Sequence, residues 1–257
     1  MVSNVNLGIK RVAFFGLDGV LIRKQPNDMT RDNFIEAAGS LLDIDHVDEK
    51  FNMFCEGKKE FLGECSTEIG NGTYDNFARL LEDSELFSRA RLKDYERFIR
   101  RYVTLEASQA KSDVLYDDAF AMLKKLQSEG YMLYLYYRWF EKVKDAKLEA
   151  TYLDGIFDEI LTIENSMVRS STNINGWENT FYNAGIRDND SVVMIGSDKS
   201  DIIPSSLRRP TVILNHDKEP FSGTLPDNVI SQRPVDILSP EFIPNIEEMS
   251  KMLRKVA

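Results

Sequence analysis

Short apolar segments alternate with helical patterns along most of the chain, and this alternation restricts the fold more than any other feature. Four segments are almost wholly apolar and are bounded by turn or helix signals: RVAFFGLD (11–18), YMLYLYY (131–137), SVVMIGSD (191–198) and TVILN (211–215). FDEILTI (157–163) predicts a fifth strand. Strands that are apolar on both faces are typical of a parallel sheet covered by helices on each side.

Helical patterns separate the predicted strands. DDAFAMLKKLQSEG (117–130) has apolar residues at helical spacing and ends at Gly130, and FEKVKDAKLEATYL (140–153) is rich in good helix formers. This alternation predicts the α/β class, with a doubly wound, parallel-sheet, Rossmann-like core. Ligands of such sheets bind outside the carboxyl ends of the strands, so functional residues are expected there.

The region 28–108 has a different character. It contains the helical patterns DNFIEAAGSLLDI, YDNFARLLED and LKDYERFIRRYVTLEA, and no strong strand signal interrupts them. Its most turn-rich piece is STEIGNGTY (66–74). We therefore predict a helical domain at 28–108, inserted into an α/β core domain formed by residues 1–27 and 109–257.

Composition and charge exclude several classes of protein. The 257 residues carry a formal net charge of -10, which disfavours nucleic acid and anionic membranes as partners. RLKDYERFIRRY (91–102) is rich enough in Arg to form a local basic patch, or it is the solvated face of a helix. No apolar run approaches the ~20 residues needed to span a bilayer, and no signal-peptide core is present. We expect a cytoplasmic protein in which Cys55 and Cys65 are free thiols.

The order of these segments resembles the haloacid dehalogenase-like (HAD) hydrolase superfamily over almost the whole chain. Members of that family begin with an apolar strand that ends in Asp-x-Asp-Gly-Thr or Asp-x-Asp-Gly-Val, and many insert a helical cap just after it. FFGLDGVL (14–21) supplies the Leu-Asp-Gly-Val-Leu part, and 28–108 has the position and character of the cap. LYDDAFAMLKKLQSEGYMLYLYY (115–137) and KLEATYLDGIFDEILTIENS (147–166) continue the resemblance.

The resemblance implies a reaction, but this chain lacks the residue that starts it. In the family, the first Asp of the motif attacks a phosphoryl group or a carbon, and the second Asp acts as general acid and base. Gly16 stands at the nucleophile position and Asp18 at the acid-base position. Glycine has no oxygen to phosphorylate, so we expect the aspartyl-phosphate chemistry to be lost.

Two further family motifs also depart from their pattern. The second motif ends its strand with Thr or Ser, and here that position falls on Tyr137, followed by Arg138. The third motif contributes a Lys, but SMVRSSTNINGWENTFYNAGI (166–186) contains none. The aligned position falls on or near Thr172, and Arg169 is close enough in sequence to substitute, although Arg is longer and planar.

The fourth family motif, Gly-Asp followed by a second Asp, holds Mg²⁺ together with the nucleophile. In MIGSDKSDI (194–202), the first of these carboxylates is replaced by Ser197 or is shifted by one residue to Asp198. Mg²⁺ is therefore the one cofactor that the resemblance implies, and the missing carboxylate of Gly16 weakens its site. The remaining candidate ligands are Asp18, Asp198 and Asp201.

A binding site can persist without the reaction. Backbone amides of residues 16–20 and the start of a helix expected after Asp201 would favour an anion. The predicted ligand-binding residues are Gly16, Leu17, Asp18, Gly19, Tyr137, Arg138 and Arg169. His46 and His216 lack metal-ligand spacing and are expected to be structural, whereas Trp139 and Trp177 either line the cleft or pack in the core.

Three functions remain open from the sequence. The first is a non-catalytic protein, monomeric or dimeric, that binds a phosphorylated small molecule or a protein partner. The alternative is an active Mg²⁺-dependent phosphatase or related hydrolase of small phosphorylated metabolites, in which Asp18 is catalytic and water attacks directly. The third is a scaffold that acts through the cap helices, although no coiled-coil heptad supports it.

Overall fold

The computed structural model describes residues 9–23, 27–64, 73–162, 174–197, 201–216 and 225–255. Within these ranges, six parallel strands form one sheet in the order β3-β2-β1-β4-β5-β6. The strands are β1 Arg11–Phe15, β2 Met132–Tyr137, β3 Glu159–Thr162, β4 Ser191–Gly196, β5 Thr211–Leu214 and β6 Val229–Gln232.

Helices precede and separate the strands. The α-helices of the described ranges are α1 Asn27–Ala38, α2 Val47–Glu64, α3 Thr73–Asp83, α4 Leu92–Gln109, α5 Ala119–Ser128, α6 Glu141–Thr151, α7 Ile174–Asn183, α8 Pro234–Ile237 and α9 Phe242–Lys255. The first four lie between β1 and β2 and form what we call the helical segment, Asn27–Gln109. No helix in the described part of the chain is long and apolar enough to cross a membrane.

The doubly wound α/β fold predicted from the sequence is confirmed. All five predicted strands are present: β2 ends at the predicted residue, and the other four end one to three residues before the predicted segment does. The sheet extends one strand further, because β6 pairs in parallel with β5. The proposed division into a core domain and a helical domain at 28–108 stays a prediction.

Side chains of the central strand alternate between two apolar layers. Val12 and Phe14 belong to a cluster with Trp177 of α7, whereas Ala13 and Phe15 belong to the larger cluster on the opposite face. Successive side chains of a strand point to opposite faces, so a strand covered on both sides must be apolar throughout. Trp177 is thus a core residue rather than a residue of the cleft.

The helical segment and the sheet share one hydrophobic core. Trp139 and Phe140 follow β2, and their rings pack among the aromatic side chains of the helical segment. The ring centroids of Trp139 and Phe77 lie 5.6 Å apart, and those of Phe140 and Tyr74 lie 4.4 Å apart. Such pairs add to the burial of apolar surface, so these contacts hold the helical segment against the strand ends.

Truncation of Phe77 tests whether this shared core couples the two parts of the chain. Phe77 is fully buried, so Phe77→Ala should lower the free energy of unfolding by about 3–5 kcal/mol. Phe120→Ala, at a half-exposed position on α5, should change it little. Calorimetry should show one thermal transition for both variants. Two separate transitions, of which Phe77→Ala shifts only one, would contradict a shared core.

Candidate functional site

The site lies beside β1, where the order of strand addition across the sheet reverses. From β1 the chain builds outward through β2 and β3, and it then returns to the other side of β1 with β4. Parallel register places Phe15 opposite both Leu135 and Ile195, so three strands end at the same level. Gly16 N–H donates to the Ile195 carbonyl at 3.0 Å, which fixes the loop after β1. Such a switch point is the usual ligand site of open α/β sheets.

A cavity of about 190 Å³ opens at these strand ends. Its floor comes from the loops that follow β1, β2 and β4, and includes Gly16, Leu17, Asp18, Tyr137, Arg138 and Asp201. Lys58 and Leu62 of α2 and Glu106 of α4 cover it from the helical segment. The cavity is therefore built jointly by the sheet and the helices inserted after β1.

An ion pair from α6 occupies one side of the cavity. Lys147 Nζ lies 2.5 Å from Asp18 Oδ1 and 3.6 Å from Asp113 Oδ2. Val143 and Lys147 are four residues apart on α6, so both face the cavity. Burial opposes the ammonium, but the negative charges of Asp18 and Asp113 outweigh burial and raise the pKa of Lys147. Lys147 is thus a fixed cation at the end of β1.

A second ion pair joins the loops after β2 and β4. Arg138 Nη2 lies 3.3 Å from Asp201 Oδ1, and both side chains are largely buried. The backbone N–H of Ser197 donates to Asp201 Oδ2 at 2.8 Å, and its hydroxyl donates to the Asp18 carbonyl at 3.1 Å. Asp201 therefore receives donors on both carboxylate oxygens.

A third cluster connects the cover of the cavity to its floor. Lys58 Nζ lies 3.2 Å from Glu106 Oε1 and 3.9 Å from the centroid of the Trp139 ring. Trp139 Nε1–H donates to Glu106 Oε2 at 2.5 Å, and the Tyr102 hydroxyl donates to Glu106 Oε1 at 3.2 Å. Trp139 therefore lines the cavity and also anchors α2 and α4 to the loop after β2.

Two of the buried phenols near the cavity, those of Tyr137 and Tyr102, remain neutral at physiological pH. Burial, followed by the negative charge of Asp18, raises the pKa of Tyr137 well above its usual value. Burial, followed by Glu106, does the same for Tyr102. Neither group can serve as a base near neutral pH, because its ionised form would be buried next to a carboxylate.

The comparisons with solved structures agree on the fold. A haloacid dehalogenase-like family hydrolase from Xanthomonas campestris matches with a TM-score of 0.55 and 13% identity, covering 98% of this chain and 97% of that chain. A predicted phosphoglycolate phosphatase from Haemophilus somnus matches with a TM-score of 0.58 and 17% identity, covering 90% and 98%.

A third match, at a TM-score of 0.57 and 16% identity, is a magnesium-bound protein of the HAD-hydrolase type from Bacillus subtilis, covering 93% and 100%. No family model matches the sequence. No curated protein sequence matches it either. The chain has the HAD-like hydrolase fold.

Within the HAD fold, the structure brings most of the predicted site residues together. Six of them line the cavity: Gly16, Leu17, Asp18, Tyr137, Arg138 and Asp201. Gly19 instead forms the turn behind it, with a φ of 76° in the left-handed region that favours glycine. Arg169, Thr172, Asp198 and Cys65 lie outside the described residues, as does most of 66–74.

The prediction of an α-helix after Asp201 is wrong. Residues 202–204 are irregular and lead into a short 3₁₀ helix, Ser205–Leu207. Pro204 disfavours helical backbone at the preceding residue, and Ile203 is buried with its N–H bonded to the Thr211 hydroxyl. The N-terminus of an α-helix therefore does not contribute to an anion site here.

The backbone amides of residues 16–20 were also expected to bind an anion, but some of them already donate hydrogen bonds within the protein. Gly16 N–H and Gly19 N–H donate to the carbonyls of Ile195 and Ile22. Anion binding at this HAD-like site would therefore depend more on side-chain cations than on the loop backbone.

Sequence reasoning missed Lys147, Lys58 and Glu106. The position of Lys147 could have been predicted from the sequence, because it lies four residues after Val143 on the apolar face of a predicted helix. Lys58 and Glu106 reach the cavity only through the packing of α2 and α4 against Trp139. Of the residues expected to be structural, the Nε2 atom of His216 lies 3.2 Å from the Val20 carbonyl, and His46 lies beside Glu49 on the surface.

Gly16 in the cavity floor and Gly196 at the end of β4 are predicted to differ in their tolerance of a side chain. A Cβ on Gly196 would overlap the Cβ and carboxyl group of Asp201, whereas a Cβ on Gly16 would make one tight contact, with a Val20 methyl at 3.2 Å. Gly196→Ala should therefore lower the free energy of unfolding by about 1–3 kcal/mol. Gly16→Ala should cost less. Equal losses in urea unfolding would contradict the placement of Asp201 against β4.

Proposed function

We propose that this protein is a non-catalytic HAD-like protein that binds a small phosphorylated molecule in the cavity at the strand ends. The observation that carries the proposal is Gly16, which lies in the cavity at the position of the family nucleophile and has no carboxylate. Around it stand three cationic side chains, those of Lys58, Arg138 and Lys147. The site thus has features that attract an anion and lacks the group that would attack it.

The carboxylates that remain in the cavity are poorly arranged for catalysis. Asp18 is bonded to Lys147, and Asp201 is bonded to Arg138 and Ser197. For the alternative, an active phosphatase, Asp18 would have to activate water while held by an ammonium. Each carboxylate would have to leave its cation first, so this alternative has less support.

The charge balance favours a ligand with a single phosphoryl group. The three cations already face three carboxylates in the cavity, namely Asp18, Glu106 and Asp201. A ligand phosphate must therefore share the cations with these carboxylates, which are buried to different degrees. Because uncompensated charge in a partly buried site is costly, a nucleoside triphosphate or a pyrophosphate would bind less well than a monoester.

The size of the cavity favours a short ligand. A volume of about 190 Å³ corresponds to roughly six water molecules at ~30 Å³ each. Pockets for drug-sized ligands typically measure about 300–1,000 Å³. A phosphoryl group with a few carbon atoms would fit, whereas a hexose phosphate would not without displacement of α2. One fold neighbour is a predicted phosphoglycolate phosphatase, which agrees with such a ligand.

Of the two partner classes expected from the sequence, the small cavity and its three cationic side chains support the small molecule over a protein. A monomer or dimer and a cytoplasmic location remain predictions. Titration calorimetry with inorganic phosphate, glycerol 3-phosphate and glucose 6-phosphate tests the proposal. We expect the first two to bind and to be recovered intact. Glucose 6-phosphate should bind at least about tenfold more weakly.

Arg138→Met should weaken the binding of glycerol 3-phosphate by about tenfold or more, because a charged donor is lost. Arg97→Met is the matched control, since the Arg97 side chain is 82% exposed on α4 and does not line the cavity. Its affinity should equal that of the parent. Failure of all three phosphates to bind, or equal affinities of Arg138→Met and the parent, would contradict the proposal.

A further inference from the structure

In the part of the chain that the structure describes, the carboxylates of the cavity are not arranged as magnesium ligands. Mg²⁺ requires near-octahedral oxygen coordination and is usually held by one or two protein carboxylates with several waters. In this chain, Asp18 Oδ1 is bonded to an ammonium, and Asp201 Oδ1 is bonded to a guanidinium. The second oxygen of Asp201 accepts the Ser197 N–H, and the Asp18 carbonyl accepts the Ser197 hydroxyl.

The missing carboxylate of Gly16 removes a further ligand from the same place. A Cβ at residue 16 would lie 3.8 Å from Asp201 Oδ2, so an acidic side chain there would stand next to Asp201. Two neighbouring carboxylates would repel each other and favour a cation between them, whereas glycine adds no such charge. Among the described residues, no cluster of three or more His, Cys, Asp and Glu side chains is placed to hold a metal.

A protein cation is present at this position instead. The Lys147 ammonium contacts the carboxylates of Asp18 and Asp113, and its side chain is only 9% exposed. Asp113 is nearly inaccessible to solvent, so the ammonium is held between one buried and one partly exposed carboxylate. An ammonium has three N–H donors. One of them donates to Asp18, and Asp113 lies at ion-pair distance, so the ammonium retains the capacity to donate to a ligand in the cavity.

We propose that Lys147 takes the place of the divalent cation in this site, so that the cavity binds its phosphoryl ligand without metal. The inference rests on the proposed function for the identity of the ligand, but its claim about metal stands on the contacts of Lys147, Asp18 and Asp201. The ammonium neutralises Asp18 and presents positive charge to the cavity, which are the electrostatic tasks that a bound cation performs for a carboxylate and an anion together.

The parent protein gives the first test without any substitution. Its melting temperature should be the same in magnesium chloride and in sodium chloride of equal ionic strength, because the described residues of the site form no open set of oxygen ligands. Its affinity for inorganic phosphate should be the same with magnesium and with EDTA. A saturable rise in melting temperature in magnesium, or phosphate binding that EDTA abolishes, would overturn the inference.

Lys147→Met gives the second test, with Lys142→Met as the matched control on the exposed face of the same helix. Lys147→Met should bind inorganic phosphate about tenfold to a hundredfold more weakly. It should also gain a saturable stabilisation by magnesium, because Asp18 and Asp113 lose their shared cation. Lys142→Met should behave as the parent in both measurements. Unchanged phosphate affinity in Lys147→Met would overturn the role of its ammonium.

If Lys147→Met does not fold, the double variant Lys147→Met with Asp113→Asn also removes the buried negative charge that faced the ammonium, and its phosphate affinity serves as the readout. The two proposals also fail in different ways. If the parent binds no phosphate under any condition, the proposed function is wrong. The magnesium titration of the parent still decides whether the site binds magnesium.

Discussion

Parallel pairing of β1 with both β2 and β4 is the constraint on which the rest of the site depends. It places the loops after three strands at one edge of the sheet and lets their side chains meet although they are far apart in sequence. The aromatic residues Trp139 and Phe140 then fix the helical segment above this edge. The cavity is a consequence of these two sets of contacts, and its chemistry depends on which side chains the loops carry.

The charges in the cavity are arranged as pairs rather than as a reactive centre. Each of the three cations contacts a carboxylate, and two of the pairs link elements that are distant in the chain: Asp18 with Lys147, and Arg138 with Asp201. Buried charges need such partners, since an unpaired one would cost several kcal/mol. A site that satisfies its own charges keeps its shape without metal or substrate, and this agrees with the proposed binding role.

The sequence was sufficient to predict the fold and the floor of the cavity. Asp18, Tyr137 and Arg138 follow apolar strands directly, so their positions depend only on where those strands end. Lys147 was harder to predict, because its direction depends on how α6 rotates against the sheet. β6 carries only two strongly apolar residues at the edge of the sheet, and the irregular backbone after Asp201 depends on the burial of Ile203, which no local pattern shows.

The central claim is that the cavity holds a phosphomonoester and leaves it intact. The most direct test is a phosphorus NMR time course of glycerol 3-phosphate with the parent protein, in the presence of magnesium. The account predicts that the ligand resonance shifts or broadens as protein is added and that no inorganic phosphate resonance grows with time. Growth of inorganic phosphate in proportion to the protein, abolished by Asp18→Asn, would contradict the account and show that the chain is a working phosphatase.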